Sequence, residues 1–363
     1  MAKTADYNLG PHTYGRGWFM LGSSEELGGG APKTLRYFGQ DMVFYRGESG
    51  APHLVGAYCP HMGAHLGKNS TSYIVRDNEQ VQGESIRCPF HGWRFGPDGQ
   101  CDHVPYAKNG FVPQQAKLKT YQVVERAGTV WMWHDPEGLE PIRDLPAMAE
   151  WDQEAEGWVR WVIDDFGAMD IHPIELVDNI ADYGHMAPVH GASWPESFEN
   201  IFEGDKVTQR FAFGSRHIRA SDEEDVRSLD TWYEGPSFLQ SRKEGVFPYY
   251  QIVAHTPVDD GRTRLWHMMM VRAGAGGRPA TEDEVAYARA FQVTMRDGLA
   301  QDLEIWENKA PCFQVLQIPF DGPYGRVRQW YKQFYNPRSM SKMLQEKTDG
   351  HVVTLEAPAE AAE

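Results

Sequence analysis

Two short segments, Cys59-Pro60-His61 and Cys88-Pro89-Phe90-His91, constrain the fold of this chain more than any other feature. They read C-x-H and C-x2-H, and twenty-six residues lie between His61 and Cys88. Each places a thiol and an imidazole on one tight loop. Proline follows each cysteine, and glycines stand close by in CPHMGAHLG and CPFHGWRFGPDGQC. Such residues let the backbone turn sharply and bring its N–H groups near whatever the side chains hold. Two hairpin-like loops must therefore meet from opposite sides of one object.

Ligand chemistry narrows that object. A [2Fe–2S] cluster of the Rieske type holds one iron with two thiolates and the other with two imidazoles, so each pair supplies one ligand to each iron. Neutral imidazoles replace two anionic sulfurs, which leaves the reduced cluster less over-charged and raises its potential. That suits an electron relay fed by a reduced-nicotinamide system. Structural zinc also accepts two cysteines and two histidines, but its usual spacing pairs like with like, C-x2-4-C followed by H-x3-5-H. Here both pairs are mixed. Cys101 lies outside the pattern and reads as a buried or incidental thiol. Four cysteines are too few for a disulfide scaffold in a chain of 363 residues.

The sequence around the pairs, from about Gly17 to Asp135, reads as short strands. GWFMLG opens one, TLRYFGQDMVFYRGESG reads as a hairpin closed at Glu48–Gly50, and TYQVVERAGTVWMWHD alternates around a turn at Ala127–Gly128. After Glu137–Pro141 the character changes. A helix is predicted from near Pro173 through HPIELVDNIADYGHM, followed by strand-like stretches in residues 230–256 and 262–273. A second, long helix starts at a capping box, Thr281 with Glu284, and carries Val285, Ala288, Phe291, Met295, Leu299, Leu303 and Trp306 at steps of three and four.

The first of these helices carries Asn179, Asp182, His185 and His190. A mononuclear Fe(II) that activates oxygen uses two histidines and one carboxylate and keeps open positions. His185 and His190 are five residues apart, about 140° around a regular helix, so they cannot share a metal unless the helix breaks. Pro188 between them supplies a reason for a break. Taken alone, H-x4-H is a weak signal.

From CPHMGAHLG through CPFHGWRF to VPYA and WMWHDPEG, the chain resembles Rieske non-heme iron oxygenases, in particular 3-ketosteroid 9α-hydroxylases and Neverland-type cholesterol 7-desaturases. The likeness extends over most of the chain, and N-x2-D-x2-H-x4-H at Asn179, Asp182, His185 and His190 matches the family's signature. QDLEIWENK resembles the element carrying the family's third iron ligand, which falls on Asp302. Helical phase puts Asp302 beside Met295 and Trp306 and turns Glu304 away. The resemblance implies Cys59, His61, Cys88 and His91 as cluster ligands and His185, His190 and Asp302 as iron ligands. Asp182 is implied to bridge His91 of one subunit to His185 of the next, in a ring that is most often a homotrimer, with Asn179 near the iron. His65, His134, His172 and His267 have no matching role. The stretch KNSTSYIVRDNEQVQGES is longer than the family's usual spacing and is expected to form an enlarged polar surface hairpin.

The implied fold is α+β: an N-terminal arm (1–16), an antiparallel β Rieske domain (17–138), a helix-grip, START-like catalytic domain with an antiparallel sheet (139–349), and a mobile acidic tail (350–363). The implied reaction is that of a terminal monooxygenase acting on a steroid-like or sterol-like apolar substrate. An external flavin/iron–sulfur reductase or ferredoxin delivers electrons from NADH or NADPH, one atom of O2 enters the substrate, and the other leaves as water. No G-x-G-x-x-G fingerprint is present, so the nicotinamide belongs to that partner. Sterol desaturation, oxidation of a smaller aromatic or heteroaromatic compound, and a Rieske ferredoxin-like carrier are the alternatives. A net charge of −16 argues against nucleic acid as a partner. No apolar run reaches about 18 residues and the N-terminus has no signal-like core, so a cytoplasmic protein is expected.

Overall fold

Alternating apolar positions and two-residue turns organise the first half of the chain. The computed structural model describes residues 2–192, 194, 197–213, 227–245, 247–318 and 321–356, in two compact units. The first unit comprises Trp18–His134 and Glu140–Pro146. Its strands are β1 (Gly17–Ser23), β2 (Lys33–Tyr37), β3 (Gln40–Arg46), β4 (Pro52–Gly56), β5 (Val81–Gln82), β6 (Ser85–Arg87), β7 (Arg94–Phe95), β8 (Cys101–His103), β9 (Thr120–Tyr121), β10 (Val123–Arg126) and β11 (Thr129–His134). They form three small sheets, β1-β11-β10, β2-β3-β4-β9 and β5-β6-β7-β8.

The β10–β11 turn falls at Ala127–Gly128 as expected, with φ of 51° and 73°, the left-handed pair that matches strand twist. The hairpin expected to close at Glu48–Gly50 closes earlier. Tyr37 pairs with Gln40 around Phe38–Gly39, which carry the same positive φ, and residues 48–50 turn β3 into β4 instead. The enlarged stretch is more than a hairpin: it contains a one-turn helix, α1 (Tyr73–Arg76), before the β5–β6 turn at Gly83.

The second unit comprises Met1–Gly17, Asp135–Leu139 and Ala147–Glu363. The residues of the N-terminal arm are tied into it. The Thr4 hydroxyl reaches His172 and Asp260, Tyr7 bonds Glu175, and Arg16 donates to the carbonyls of Gln333 and Asn336. The unit's sheet contains β12 (Trp158–Val159), β13 (Asp164–Met169), β14 (Ser197–Glu203), β15 (Lys206–Phe213), β16 (Arg227–Glu234), β17 (Phe238–Lys243), β18 (Tyr249–Asp259), β19 (Arg262–Arg272) and β20 (Val352–Glu356). Every pair in it is antiparallel, in the order β12-β19-β18-β17-β16-β15-β14-β20, with β13 also on β19. Its helices are α2 (Pro173–Val177), α3 (Met186–His190), α4 (Glu282–Asn308), α5 (Tyr324–Tyr331) and α6 (Ser341–Gln345).

The expected tail needs a correction at Val352–Glu356. This alternating segment pairs with β14 from Ile201↔Val352 to Ser197↔Glu356, because an open sheet edge satisfies its N–H and C=O groups. The remaining tail residues lie outside those described. Helix α4 lays its apolar stripe on the sheet: Val285, Ala288, Phe291 and Met295 pack with Tyr249, Met269 and Val271, while Leu299, Leu303 and Trp306 pack with Leu265, Met169 and Leu176. Among the described residues no helix is long and apolar enough to cross a membrane.

Candidate metal centres

In the first unit the two Cys–His loops repeat one backbone design. Cys59 N–H donates to Ala64 C=O and Gly63 N–H to Cys59 C=O; likewise Cys88 N–H donates to Trp93 C=O and Gly92 N–H to Cys88 C=O. Gly63 and Gly92 both take φ of 72°, a left-handed turn that glycine adopts without strain. Cys59 and Cys88 belong to the core with Val43, Ile86, Trp93 and Phe95, so both loops rise from rigid ground.

The four side chains converge. A hydrogen bond links the two thiols: it raises Cys59, which burial lifts further, and holds Cys88 below the usual thiol value. The His61 and His91 rings lie 4.7 Å apart. His61 Nδ1 is buried without a hydrogen-bond partner among the described residues. A buried nitrogen left so is costly, whereas a metal bond would satisfy it. Two sulfurs and two nitrogens at one spot fit the mixed ligand set of a [2Fe–2S] cluster. Cys101 is buried outside this group.

In the second unit His185, His190 and Asp302 bring one ligand atom each to within 4.8 Å of one another. The route to this meeting differs from the expected one. Pro188 does not break the helix; it sits inside α3, at an early position where its missing N–H costs nothing. The two histidines meet without a break between them: His185 is the N-cap of α3 and His190 its last residue, and the helix is interrupted only upstream of both. Helix α2 stops at Val177, a 3-10 turn covers Asp178–Ala181, and Asp182 is extended (ψ 94°). Buried amides from β14 and β15 pin the turn: Asn200 and Gln209 both donate to Ile180 C=O. Gly322 presses on the next residue, where a Cβ would meet the Ala181 carbonyl oxygen at 1.6 Å. Arg328 clamps Asp178 through two nitrogens.

Hydrogen bonds around the rim orient the candidate ligands. His185 Nδ1 lies 2.9 Å from Asp182 C=O, and His190 Nδ1 lies 3.1 Å from Gln301 Oε1. Each Nδ1–H is thereby occupied and each Nε2 is turned to the centre, the usual way a protein fixes a ligand tautomer. His190 Nε2 stands 3.3 Å from Asp302. Burial would lower His190, but Asp302 and Gln301 outweigh it and raise its pKa, so the spot favours positive charge. Asn179 Nδ2 is 3.4 Å from His185 Nε2. The Asp182 carboxyl accepts from Gly184 N–H; burial would raise its pKa, but His185 and the hydrogen bond from Tyr324 outweigh burial and hold it below the usual carboxylate value. Glu304 is exposed.

Sequence reasoning missed Gln301, Tyr324, Asn200, Gln209 and Gly322. Only Gln301, next to Asp302, carried a hint. The histidines without an expected role are structural: His172 Nδ1 caps α2, His134 stacks on Phe38, His65 Nδ1 accepts from Gly67 and Lys68 N–H, and His267 pairs with Asp164.

Comparison with known proteins places the two units in a family. Residues 17–122 match the Rieske [2Fe-2S] domain, and residues 132–335 match the 3-ketosteroid 9alpha-hydroxylase C-terminal domain. The chain belongs to the 3-ketosteroid 9α-hydroxylase family of Rieske oxygenases. A 3-ketosteroid-9-alpha-monooxygenase oxygenase component of Rhodococcus rhodochrous is 33% identical over 340 residues, covering 90% of this oxygenase and 82% of the relative. Cholesterol 7-desaturase of Bombyx mori is 27% identical, covering 91% of this oxygenase and 72% of the relative. Among solved structures, Pseudomonas putida CBB5 NdmB superposes with a TM-score of 0.68 at 15% identity, covering 93% and 96% of the two chains. That last match concerns the fold alone.

Proposed function

We propose that this oxygenase hydroxylates a steroid-like apolar substrate, with Cys59, His61, Cys88 and His91 holding a [2Fe–2S] cluster and His185, His190 and Asp302 holding a mononuclear iron. The observation that carries the reading is the convergence, within 4.8 Å, of His185 and His190 with a carboxylate, Asp302, more than a hundred residues further along the chain. When bound, the cluster supplies single electrons and the iron supplies reductive activation of O2, with one oxygen atom going to substrate and one to water.

The chain's own residues prepare that chemistry. Asp182 C=O and Gln301 take the outer N–H groups, so both imidazoles present Nε2 as acceptors to one point. Asp302 sits on α4 between Leu299 and Trp306, which pack with Leu265, and its side chain is only 12% exposed. The Asp182 carboxylate keeps about a third of its surface open. That opening supports a bridge from His185 through Asp182 to His91 of the partner subunit, in a ring-shaped homotrimer. A separate flavin/iron–sulfur reductase or ferredoxin supplies the electrons, in the cytoplasm where reduced nicotinamide is made. Hydroxylation of the steroid nucleus is favoured over desaturation by the more similar relatives.

The test is an iron count joined to turnover. Anaerobically reconstituted protein should hold the cluster's two irons plus one more per chain. With a generic reductase, NADH and a panel of steroids and small aromatics, mass spectrometry should detect one atom of labelled O2 in a steroid product. Two irons and no product would instead mark an electron carrier, and a product from the small aromatics alone would overturn the substrate assignment.

A further inference from the structure

The two metal centres orient their histidines by different means. At the mononuclear centre each ring is held by the hydrogen bond its Nδ1 makes to Asp182 C=O or to Gln301 Oε1, whereas His61 Nδ1, the nitrogen left for the cluster, has no hydrogen-bond partner among the described residues. The face of the His61 ring is covered by a stack. The Trp93 indole lies parallel to it, 4.3 Å between centroids with 8° between planes. Trp93 comes from the other loop, directly after Gly92, so a side chain of the second cluster loop covers the ligand of the first.

The indole is itself anchored. It is 8% exposed, and a buried indole N–H needs an acceptor. Its Nε1–H donates to Tyr106 Oη at 2.7 Å. Tyr106 is 59% exposed and stands 6.5 Å from the His91 ring, so its phenol touches the edge of the same site. Pro105, just before it, packs against Gly92, where a Cβ would meet its ring at 3.1 Å. The sequence WRFGPDGQCDHVPY thus returns to its own start and closes a ring of contacts: His61 on Trp93, Trp93 to Tyr106, and Pro105 on Gly92.

We propose that Trp93, anchored by Tyr106, is the positioning residue that sets the plane of the His61 ring at the cluster and, by covering it, the cluster's reduction potential. The inference rests on the assignment of His61 as a cluster ligand. Its sign follows from charge. Two ferric ions, two sulfides and two thiolates sum to a neutral oxidised cluster, and reduction adds one negative charge. Water stabilises the more charged state, so an indole that keeps water from His61 holds the potential down. An electron-rich ring stacked on the imidazole also favours the electron-poorer oxidised state. Removing the cover acts in the same direction on both counts.

Three variants of the reconstituted full chain test this. Trp93→Leu removes the stack, Trp93→Phe keeps a ring but loses the N–H anchor, and Tyr106→Phe removes only the phenolic acceptor. Redox titration followed by EPR should give potentials above wild type in all three, largest for Trp93→Leu, with altered g-values from a reoriented His61. Should Trp93→Leu fail to retain the cluster, Trp93→Phe and Tyr106→Phe still decide. Wild-type potentials and spectra in variants with full iron and sulfide content would overturn the proposal. Absence of any Rieske signal in the reconstituted wild type would instead overturn the ligand assignment.

Discussion

At the scale of single residues, the carboxylate choice is the sharpest issue. Asp302 faces the two histidines and Glu304, two residues on, is exposed. Asp302→Ala should therefore lose the mononuclear iron and turnover while the Rieske EPR signal persists, and Glu304→Ala should change neither. Retained turnover in Asp302→Ala would move the ligand elsewhere. Burial carries a second consequence. His172 and His255 lie in the core, where burial pushes each pKa down to about 3, against about 6.5 in an unfolded chain. Between those values the unfolded chain binds the more protons, so this stability is complete above about pH 6.5 and drains away as pH falls toward 3. Urea unfolding followed by tryptophan fluorescence should show a loss of about 2 kcal/mol per histidine between pH 8 and pH 5. His255→Leu should reduce that slope, and a flat profile in the wild type would remove the argument. The convergence of the motif residues was legible because Cys, His and Asp are scarce, chemically distinctive and tightly spaced. Gln301, Tyr324 and Gly322 were not, because an amide, a phenol or a glycine gains its role only from a partner that the fold brings from far along the chain.

Elements were legible where their causes are local. Helix α4 begins at Thr281 with both bonds of the capping box present, and its seven apolar positions all pack on the sheet or its flanking helices. The two-residue turn at Ala127–Gly128 was equally local. The break before His185 was displaced from Pro188 because its causes are distant: the amides of Asn200 and Gln209 and the backbone of Gly322. The strand β20 was read as tail for the same reason, since an edge strand is defined by the neighbour it finds. Its removal gives a test at this scale. Deleting residues 351–363 would uncover β14 and strip Leu355 from Phe198 and Phe211. An exposed, half-apolar edge invites pairing with other chains. The truncated protein should melt at least about 3 °C lower than the full chain and aggregate on heating. Equal melting temperatures would mean that β20 adds nothing to the sheet.

At the scale of the whole molecule, the proposed bridge makes a single chain insufficient, and mixed oligomers can test that directly. Consider one chain without a cluster (Cys88→Ala) and one without mononuclear iron (Asp302→Ala). Each alone is inactive whichever way electrons travel. If the cluster of one subunit serves the iron of the next, co-expressed chains complement each other. Random mixing into a cyclic trimer puts one productive neighbour pair in every mixed ring and none in the pure ones, so specific activity should recover to about one quarter of wild type. Transfer within a chain gives no recovery. The position of Asp182 adds an asymmetry. Its carboxylate sits beside His185 on the chain that receives the electron, so only the receiving chain's copy matters. Asp182→Asn replaces a pure acceptor by an amide whose one carbonyl must serve two imidazole N–H groups. Added to the Cys88→Ala chain, which receives, it should abolish the recovery while iron content stays constant. Added to the Asp302→Ala chain, which donates, it should leave recovery unchanged. Equal effects in the two positions would separate Asp182 from electron transfer and leave it a structural contact of the 3-10 turn.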